Sequence, residues 1–382
     1  MRVAFIGCGY VADYYVATLA NHPELELVGV FDRDVGRATR FASSHQLRRY
    51  AGAEELLGDP GVEMVVNLTN PRRHFEVSRA ALTAGKHVYT EKPLATKLSD
   101  AEELVELAES RGLLISSAPC TVLGETAQTL WKALRDKRIG TPRLCYAEMD
   151  DGPVPLEDYH NWTSGSGIPW PAKDEFEVGC TLEHAGYVLT WLSAFFGPAR
   201  TVTASAHVIY PDKGVPLDVI TPDFTVATME FESGVVARLT CGLFATPDRH
   251  LRIYGDQGVL STDNTWDFAS KVHLARRTRL GLKSEQNPRL AKWMGLGPRA
   301  LAPVRRPHFR WTGRRAANHI DYSRGVADLA AAVKEKRPPR LSARFSLHVN
   351  ELALAIQDPL EYGSPRRLRS TFDPPSPMPW AR

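Results

Sequence analysis

Val3-Ala4-Phe5-Ile6-Gly7-Cys8-Gly9-Tyr10-Val11-Ala12 stands almost at the start of the chain, and its reading decides the rest. Residues 3–6 are a short apolar run of the kind that forms a fully buried parallel strand. Residues 7–12 then spell G-x-G-x-x-A. Gly7 permits the tight turn out of the strand, Gly9 lets backbone approach a pyrophosphate, and Ala12 allows close helix–strand packing. The N-terminus of the following helix, expected from Ala12 to about Ala20, faces the phosphates. A second strand is expected over residues 25–31 and ends in Asp32, 20 residues after Ala12. An acid there meets the adenosine ribose hydroxyls. The dinucleotide cradle is therefore read as Gly7, Gly9, Tyr10, Val11, Ala12 and Asp32. Asp32 repels a 2′-phosphate and favours NAD, while Arg33 offers a guanidinium to such a phosphate and keeps NADP open.

The same alternation continues along the chain. Further strands are expected over residues 64–68, 87–89 and 113–116. Thr69-Asn70-Pro71-Arg72-Arg73-His74 is a loop leading into a helix through Ala84, with Gly85 as its stop. Ser99-Asp100-Ala101-Glu102 reads as a capping box opening a helix to about Arg111. Strands alternating with helices imply a parallel sheet with right-handed crossovers, and ligands lie beyond the carboxyl ends of its strands.

Gly85-Lys86-His87-Val88-Tyr89-Thr90-Glu91-Lys92-Pro93-Leu94-Ala95 ends a strand in Glu-Lys-Pro. With Thr69-Asn70-Pro71, His74 and the late segment His348-Val349-Asn350-Glu351-Leu352, it resembles the glucose–fructose oxidoreductase/inositol dehydrogenase (Gfo/Idh/MocA) family. The resemblance implies an α/β Rossmann domain followed by an α+β domain built on a large open antiparallel sheet. The substrate would bind between that sheet and the nicotinamide. It also places Thr69, Asn70, His74, Glu91 and Lys92 beside the dinucleotide. Pattern reading supports the second domain independently, with strand-like runs at residues 143–149, 201–209, 225–231, 235–241 and 251–254. An amphipathic helix is expected over residues 183–196, stopped by Gly197-Pro198. The division expected is a Rossmann domain over 1–120, a substrate domain over 121–345, and a C-terminal helix with an extended proline-rich tail over 346–382.

Hydride transfer at a carbinol needs a group to handle the hydroxyl proton and a donor to hold the developing oxyanion. By the resemblance, Lys92 would hydrogen-bond the reacting oxygen, and it would act as acid or base if burial or a nearby cation lowered its pKa. Many family members carry Asp-x-Gly-x-His on the helix before a Gly-Pro stop. Here the segment reads Glu183-His184-Ala185-Gly186-Tyr187 and departs from that pattern. The tyrosine resembles glucose–fructose oxidoreductase and its relatives, where a tyrosine occupies the histidine's place. Tyr187 is therefore the expected partner of Lys92, its phenol lowered by the ammonium, with Glu183 one turn away and His184 as competitor. The loop over residues 150–179 supplies the expected substrate contacts: Asp158, His160, Trp162 and Trp170, together with Glu183.

The 382 residues suit two domains, and 43% hydrophobic with 24% charged is ordinary for a folded protein. A net charge of +3 gives no reason to expect nucleic acid. Five scattered cysteines without a C-x-x-C pair fit reduced thiols, a cytoplasmic location and no metal site. No signal peptide or membrane-length apolar run is seen. Residues 275–315 carry twelve cations against Glu285 alone. The segment reads as a solvated excursion, with the grip on a phosphorylated or nucleotide-linked sugar as a second reading. The expected function is NAD(P)-dependent oxidation or reduction of a ring hydroxyl or ketone on a sugar, nucleotide sugar, glycoside or cyclitol. Two alternatives are an NAD-dependent glycosidase working by transient oxidation and elimination, and a non-catalytic dinucleotide-binding regulator. An open sheet, implied by the resemblance, would need covering by a second copy, so a dimer or tetramer is expected.

Overall fold

The computed structural model describes residues 1–277, 289, 293, 297–306 and 319–382. Its first sheet is five-stranded and parallel, in the order β2-β1-β3-β4-β5. The strands are β1 (Arg2–Ile6), β2 (Glu26–Phe31), β3 (Met64–Asn67), β4 (His87–Thr90) and β5 (Ile115–Ser117). The period of two is visible in the core. Val3 and Phe5 pack on one face with Tyr15 and Phe41, while Ala4 and Ile6 pack on the other with Leu82 and Leu104. The helix Arg324–Glu335 returns late in the chain to the first face, placing Val326 and Leu329 there. The helix Leu98–Ser110 begins at the N-cap Lys97, two residues before the expected cap Ser99, and Ser99 caps nothing.

The second sheet has nine strands in the order β13-β12-β11-β10-β6-β9-β8-β7-β14. These are β6 (Pro142–Asp150), β7 (Ala199–His207), β8 (Phe224–Phe231), β9 (Val236–Gly242), β10 (Leu251–Gly255), β11 (Gly258–Thr262), β12 (Val272–Arg276), β13 (Arg299–Ala300) and β14 (Arg366–Arg367). It is antiparallel except where β6 lies parallel to β9, so the expected antiparallel sheet is mixed at its centre. The reason is topological. After β6 the chain makes a long crossover, and the meander β7-β8-β9 brings its third strand against β6 in the same direction. That crossover contains a π-turn, Thr181–Ala185, leading into the helix Gly186–Phe196. The helix is buried on nearly every face instead of amphipathic, because it sits inside the large core of the second sheet. Gly197 stops it at φ 80°.

The helix Ala343–Gln357 lies against both halves of the molecule. Its Asn350 accepts from the Ala95 amide at 3.3 Å and donates to the Ala95 carbonyl at 3.0 Å, clamping the turn after Lys92. Its Glu351 accepts from Arg366 at 2.8 Å, from the Ser370 hydroxyl at 2.6 Å, and from the Arg369 and Ser370 amides. Burial opposes that carboxylate, but Ser370 and Arg366 outweigh it and hold its pKa below the usual value. A depressed carboxyl stabilises the fold above the unfolded pKa of about 4.3 and loses that contribution as pH falls through the folded value. Glu351→Ala is expected to cost about 3 kcal/mol in urea denaturation at pH 7, because it strands Arg366 and two amides in the core. The cost should shrink toward pH 3.

The tail runs extended over the second sheet's own core, pairing Arg366 and Arg367 with β7 and packing Phe372 on Phe345. Most of the basic stretch 275–315 lies outside the described residues. Of its described arginines, Arg305 is committed to Glu125 at 3.0 Å and stacks on Trp380. Among the described residues, no helix is long and apolar enough to cross a membrane.

Candidate active site

The G-x-G-x-x-A turn forms one wall of a cleft of about 670 Å³. Gly7 adopts φ +102° and donates to Phe31 O at 2.8 Å, which swings the chain out of β1. A Cβ on Gly9 would meet nothing within 4 Å, so the turn leaves open space on the cleft side. The helix Ala12–Leu19 starts without a side-chain cap, its Ala12 and Tyr14 amides turning back to Gly9 O and Val11 O, and its N-terminal dipole faces the turn. Asp32 is buried and accepts from the Cys8 amide and the Asp34 amide, each at 2.9 Å. These features fit a dinucleotide. Arg33 is exposed, and Arg37 takes the place beside Asp32, with Nε 3.1 Å from Oδ2.

The loop after β3 forms the next part of the wall. Asn67 fixes Thr69 by accepting from its hydroxyl at 2.6 Å. Asn70 donates to Asp174 at 2.5 Å, across to the second domain. His74 is fully buried, with its ring nitrogens 2.7 Å from Pro93 O and 2.9 Å from Thr69 O, so it ties this loop to the turn bearing Lys92. Glu91 accepts from the Tyr15 hydroxyl at 2.7 Å and from the Lys92 amide at 3.0 Å. It steadies the turn more than it reaches outward.

Lys92 extends from the end of β4 into the cleft and pairs with Glu183, whose side chain is 1% exposed. Burial opposes the ammonium, but Glu183 and Glu175 outweigh it and hold Lys92 well above the ordinary lysine range. The lowering that was set as the condition for Lys92 to act as acid or base is absent, because its neighbours are acids instead of a second cation. Burial raises the Tyr187 phenol despite the pull of Lys92, so Tyr187 also departs from its expected lowering. Tyr187 and His184 both line the cleft and both contact Trp266, at ring separations of 4.6 Å and 5.5 Å. His184 Nε2 lies 3.4 Å from Asp151, and burial lowers its pKa.

Trp162 and Trp170 line the cleft and pack edge-to-face on each other. Asp158 and His160 are not brought to it. Asp158 is exposed and ties Asn161, while exposed His160 rests on Tyr159. Sequence reasoning missed Tyr14, Arg37, Asp151, Trp266 and Tyr322, all of which line the cleft. Arg37 had a findable signal. Asp34 caps the helix Val35–His45 by accepting from the Arg37 amide, and helical side chains lean back toward the N-terminus, here toward Asp32.

Fold and cleft together define an oxidoreductase that uses a nicotinamide dinucleotide. Residues 1–118 match the model of an oxidoreductase family with an NAD-binding Rossmann fold, and residues 127–261 match the GFO/IDH/MocA C-terminal domain. The chain belongs to the Gfo/Idh/MocA family, whose dehydrogenases and reductases act on CH–OH groups. It is 30% identical over 258 residues to dTDP-3,4-didehydro-2,6-dideoxy-alpha-D-glucose 3-reductase of Streptomyces antibioticus, covering 65% of this chain and 74% of the relative. It is 26% identical over 263 residues to trans-1,2-dihydrobenzene-1,2-diol dehydrogenase of Bos taurus, covering 68% and 73%. An oxidoreductase from Agrobacterium radiobacter, solved with NAD+, L-tartaric acid and magnesium, shares the fold with a TM-score of 0.75 at 18% identity over 96% and 98% of the chains.

Proposed function

We propose that this enzyme moves a hydride between nicotinamide and a ring hydroxyl or ketone of a sugar, nucleotide sugar or cyclitol, with Lys92 and Tyr187 at the reacting oxygen. The observation that carries this reading is the meeting of Lys92, Glu183 and Tyr187 in the cleft that the dinucleotide turn opens into. The bound nicotinamide supplies or accepts the hydride. Lys92 and Tyr187 both rest in their protonated forms, so two donors face the oxygen on which charge develops. Trp162, Trp170 and Trp266 offer apolar faces to a ring, and the carboxylates around them offer acceptors to its hydroxyls. The similarity to a nucleotide-sugar 3-reductase supports the same substrate class. Residues 1–120 then hold the dinucleotide and residues 121–345 the substrate. Asp32 favours NAD, and Arg37 balances its charge enough that both dinucleotides belong in the assay.

The test follows nicotinamide absorbance on purified protein with panels of sugars, cyclitols and nucleotide sugars. Tyr187→Phe is expected to lower kcat by about 10²- to 10³-fold on the substrate so found. Turnover within a few-fold of wild type in that variant overturns the assignment. The Asp151–His184 contact favours a second acid–base arrangement, so His184→Gln runs beside it. A larger loss there than in Tyr187→Phe moves the role to His184.

A further inference from the structure

One carboxyl in the cleft is left over by this reading. Glu175 lies on the helix Ala172–Val178, which the crossover loop lays across the nucleotide domain. Its neighbours in sequence pin the helix there. Asp174 accepts from Asn70, and Glu177, with a side chain 1% exposed, pairs with Arg72 at 2.8 Å. Glu175 is thereby carried to Glu183. Oε2 of Glu183 is engaged by Lys92, while its buried Oε1 has no hydrogen-bond partner among the described residues. The Glu175 carboxyl lines the same cleft beside Glu183. Two carboxylates only accept, so they satisfy each other only with a proton between them. Like charges at such closeness do not both ionise.

We propose that Glu175 and Glu183 share one proton and form the store from which Lys92 and Tyr187 are recharged, with Glu175 the positioning residue that opens the store to the cleft. This rests on the function proposed above. In oxidation, the substrate O–H bond breaks as Tyr187 takes that proton. Tyr187 passes its own to Lys92 Nζ, and Nζ passes one to Glu183 Oε2. The electron pair of the carbinol C–H bond leaves as hydride to the nicotinamide. The carboxyl pair gains a second proton, which Glu175 releases to the cleft, and reduction runs the same steps backward. Every O–H or N–H bond broken is matched by one formed.

The electrostatics agree with the geometry. Burial raises Glu183 well above the carboxylate range and Glu175 adds to it, whereas Lys92 and the neighbouring Glu183 hold Glu175 below its usual value despite its own burial. Glu91, His184 and Tyr187 are the other titratable groups facing the trio, with Asp151 and Arg249 beyond His184.

Infrared difference spectra of the cofactor-free protein at neutral pH test this without turnover. Wild type minus Glu175→Gln is expected to show a carboxylic-acid carbonyl band, and wild type minus Glu183→Gln the same band. Each Gln variant frees the remaining carboxyl to ionise beside Lys92. Glu175→Asp keeps the band. Glu175→Gln should also lower kcat by about 10- to 100-fold, at the low end for an acid–base group, and shift its pH profile, both restored in part by Asp. Absence of the band from both difference spectra overturns the shared proton, even where Tyr187→Phe abolishes turnover. A band present while Tyr187→Phe turns over normally leaves the proton store standing and removes the proposed reaction instead.

Discussion

Lys92→Met is expected to lower kcat/KM on the order of 10³-fold, while dinucleotide binding and thermal stability change little. The size follows from what the ammonium does. In the proposed reaction it is a donor at the oxygen where charge develops, in a site partly closed to water, and it would link Tyr187 to the carboxyl pair. Loss of one such donor costs about 10²- to 10³-fold, and loss of proton transfer adds to it. Removing one member of a buried ion pair ordinarily destabilises a protein by about 3–5 kcal/mol. Here the bereaved partner is Glu183, whose carboxyl is already pushed well above its usual range by burial and by Glu175. It takes up a proton instead of standing charged, and methionine replaces the lysine stem. Catalysis and stability are therefore expected to separate. Stopped-flow hydride transfer and calorimetry on the same preparation check both halves. A Met variant that retains more than about a tenth of wild-type kcat/KM would place the reacting oxygen elsewhere.

The two halves of the molecule were unequally legible for physical reasons. In the first sheet the central strands are buried on both faces, so residues such as 3–6 and 64–67 stand out as short apolar runs between helical stretches. The five strands expected in the second domain fall within two residues of β6, β7, β8, β9 and β10. The hairpin partner β11 was missed because Asp256-Gln257 joins it to β10, and that pair lacks the glycine that usually marks a two-residue hairpin turn. Lys92 and Tyr187 stand in local segments, Glu-Lys-Pro and the stretch before Gly197-Pro198, and the family resemblance picked them out there. The wall opposite them could not. Asp151 meets Arg249 because the end of β6 pairs with the approach to β10 at Asp150 and Asp248. Trp266 joins them because Arg249 bridges to Asn264, and the Arg249 guanidinium then stacks on the indole at 4.1 Å. No window of sequence contains that contact, since sheet register alone makes it.

The paired glycines of the first turn give the sharpest contrast, and Gly7→Ala is expected to destabilise the fold where Gly9→Ala weakens binding. A Cβ on Gly7 would lie 2.5 Å from both the carbonyl carbon and oxygen of Leu68 and 2.7 Å from the Thr69 amide nitrogen. Those are backbone atoms of the neighbouring strand's exit and cannot swing aside. The residue also sits at φ +102°, where a side chain adds roughly 1–3 kcal/mol of strain. With the cost of overpacking, the loss comes to about 3–5 kcal/mol, a large fraction of a domain's stability. Gly9 is different, for a Cβ there meets nothing within 4 Å. Gly9→Ala should melt with wild type, yet its methyl occupies the space where backbone must approach the pyrophosphate. Its dinucleotide Kd is expected to rise about 100-fold, or ~2.7 kcal/mol. Thermal melts with and without NAD separate the cases. Gly7→Ala lowers the midpoint in both conditions, and Gly9→Ala loses only the upward shift that the dinucleotide gives. If Gly9→Ala keeps that shift, the phosphates do not lie over this turn, and the wall of the cleft that orients the nicotinamide toward Lys92 is a different one.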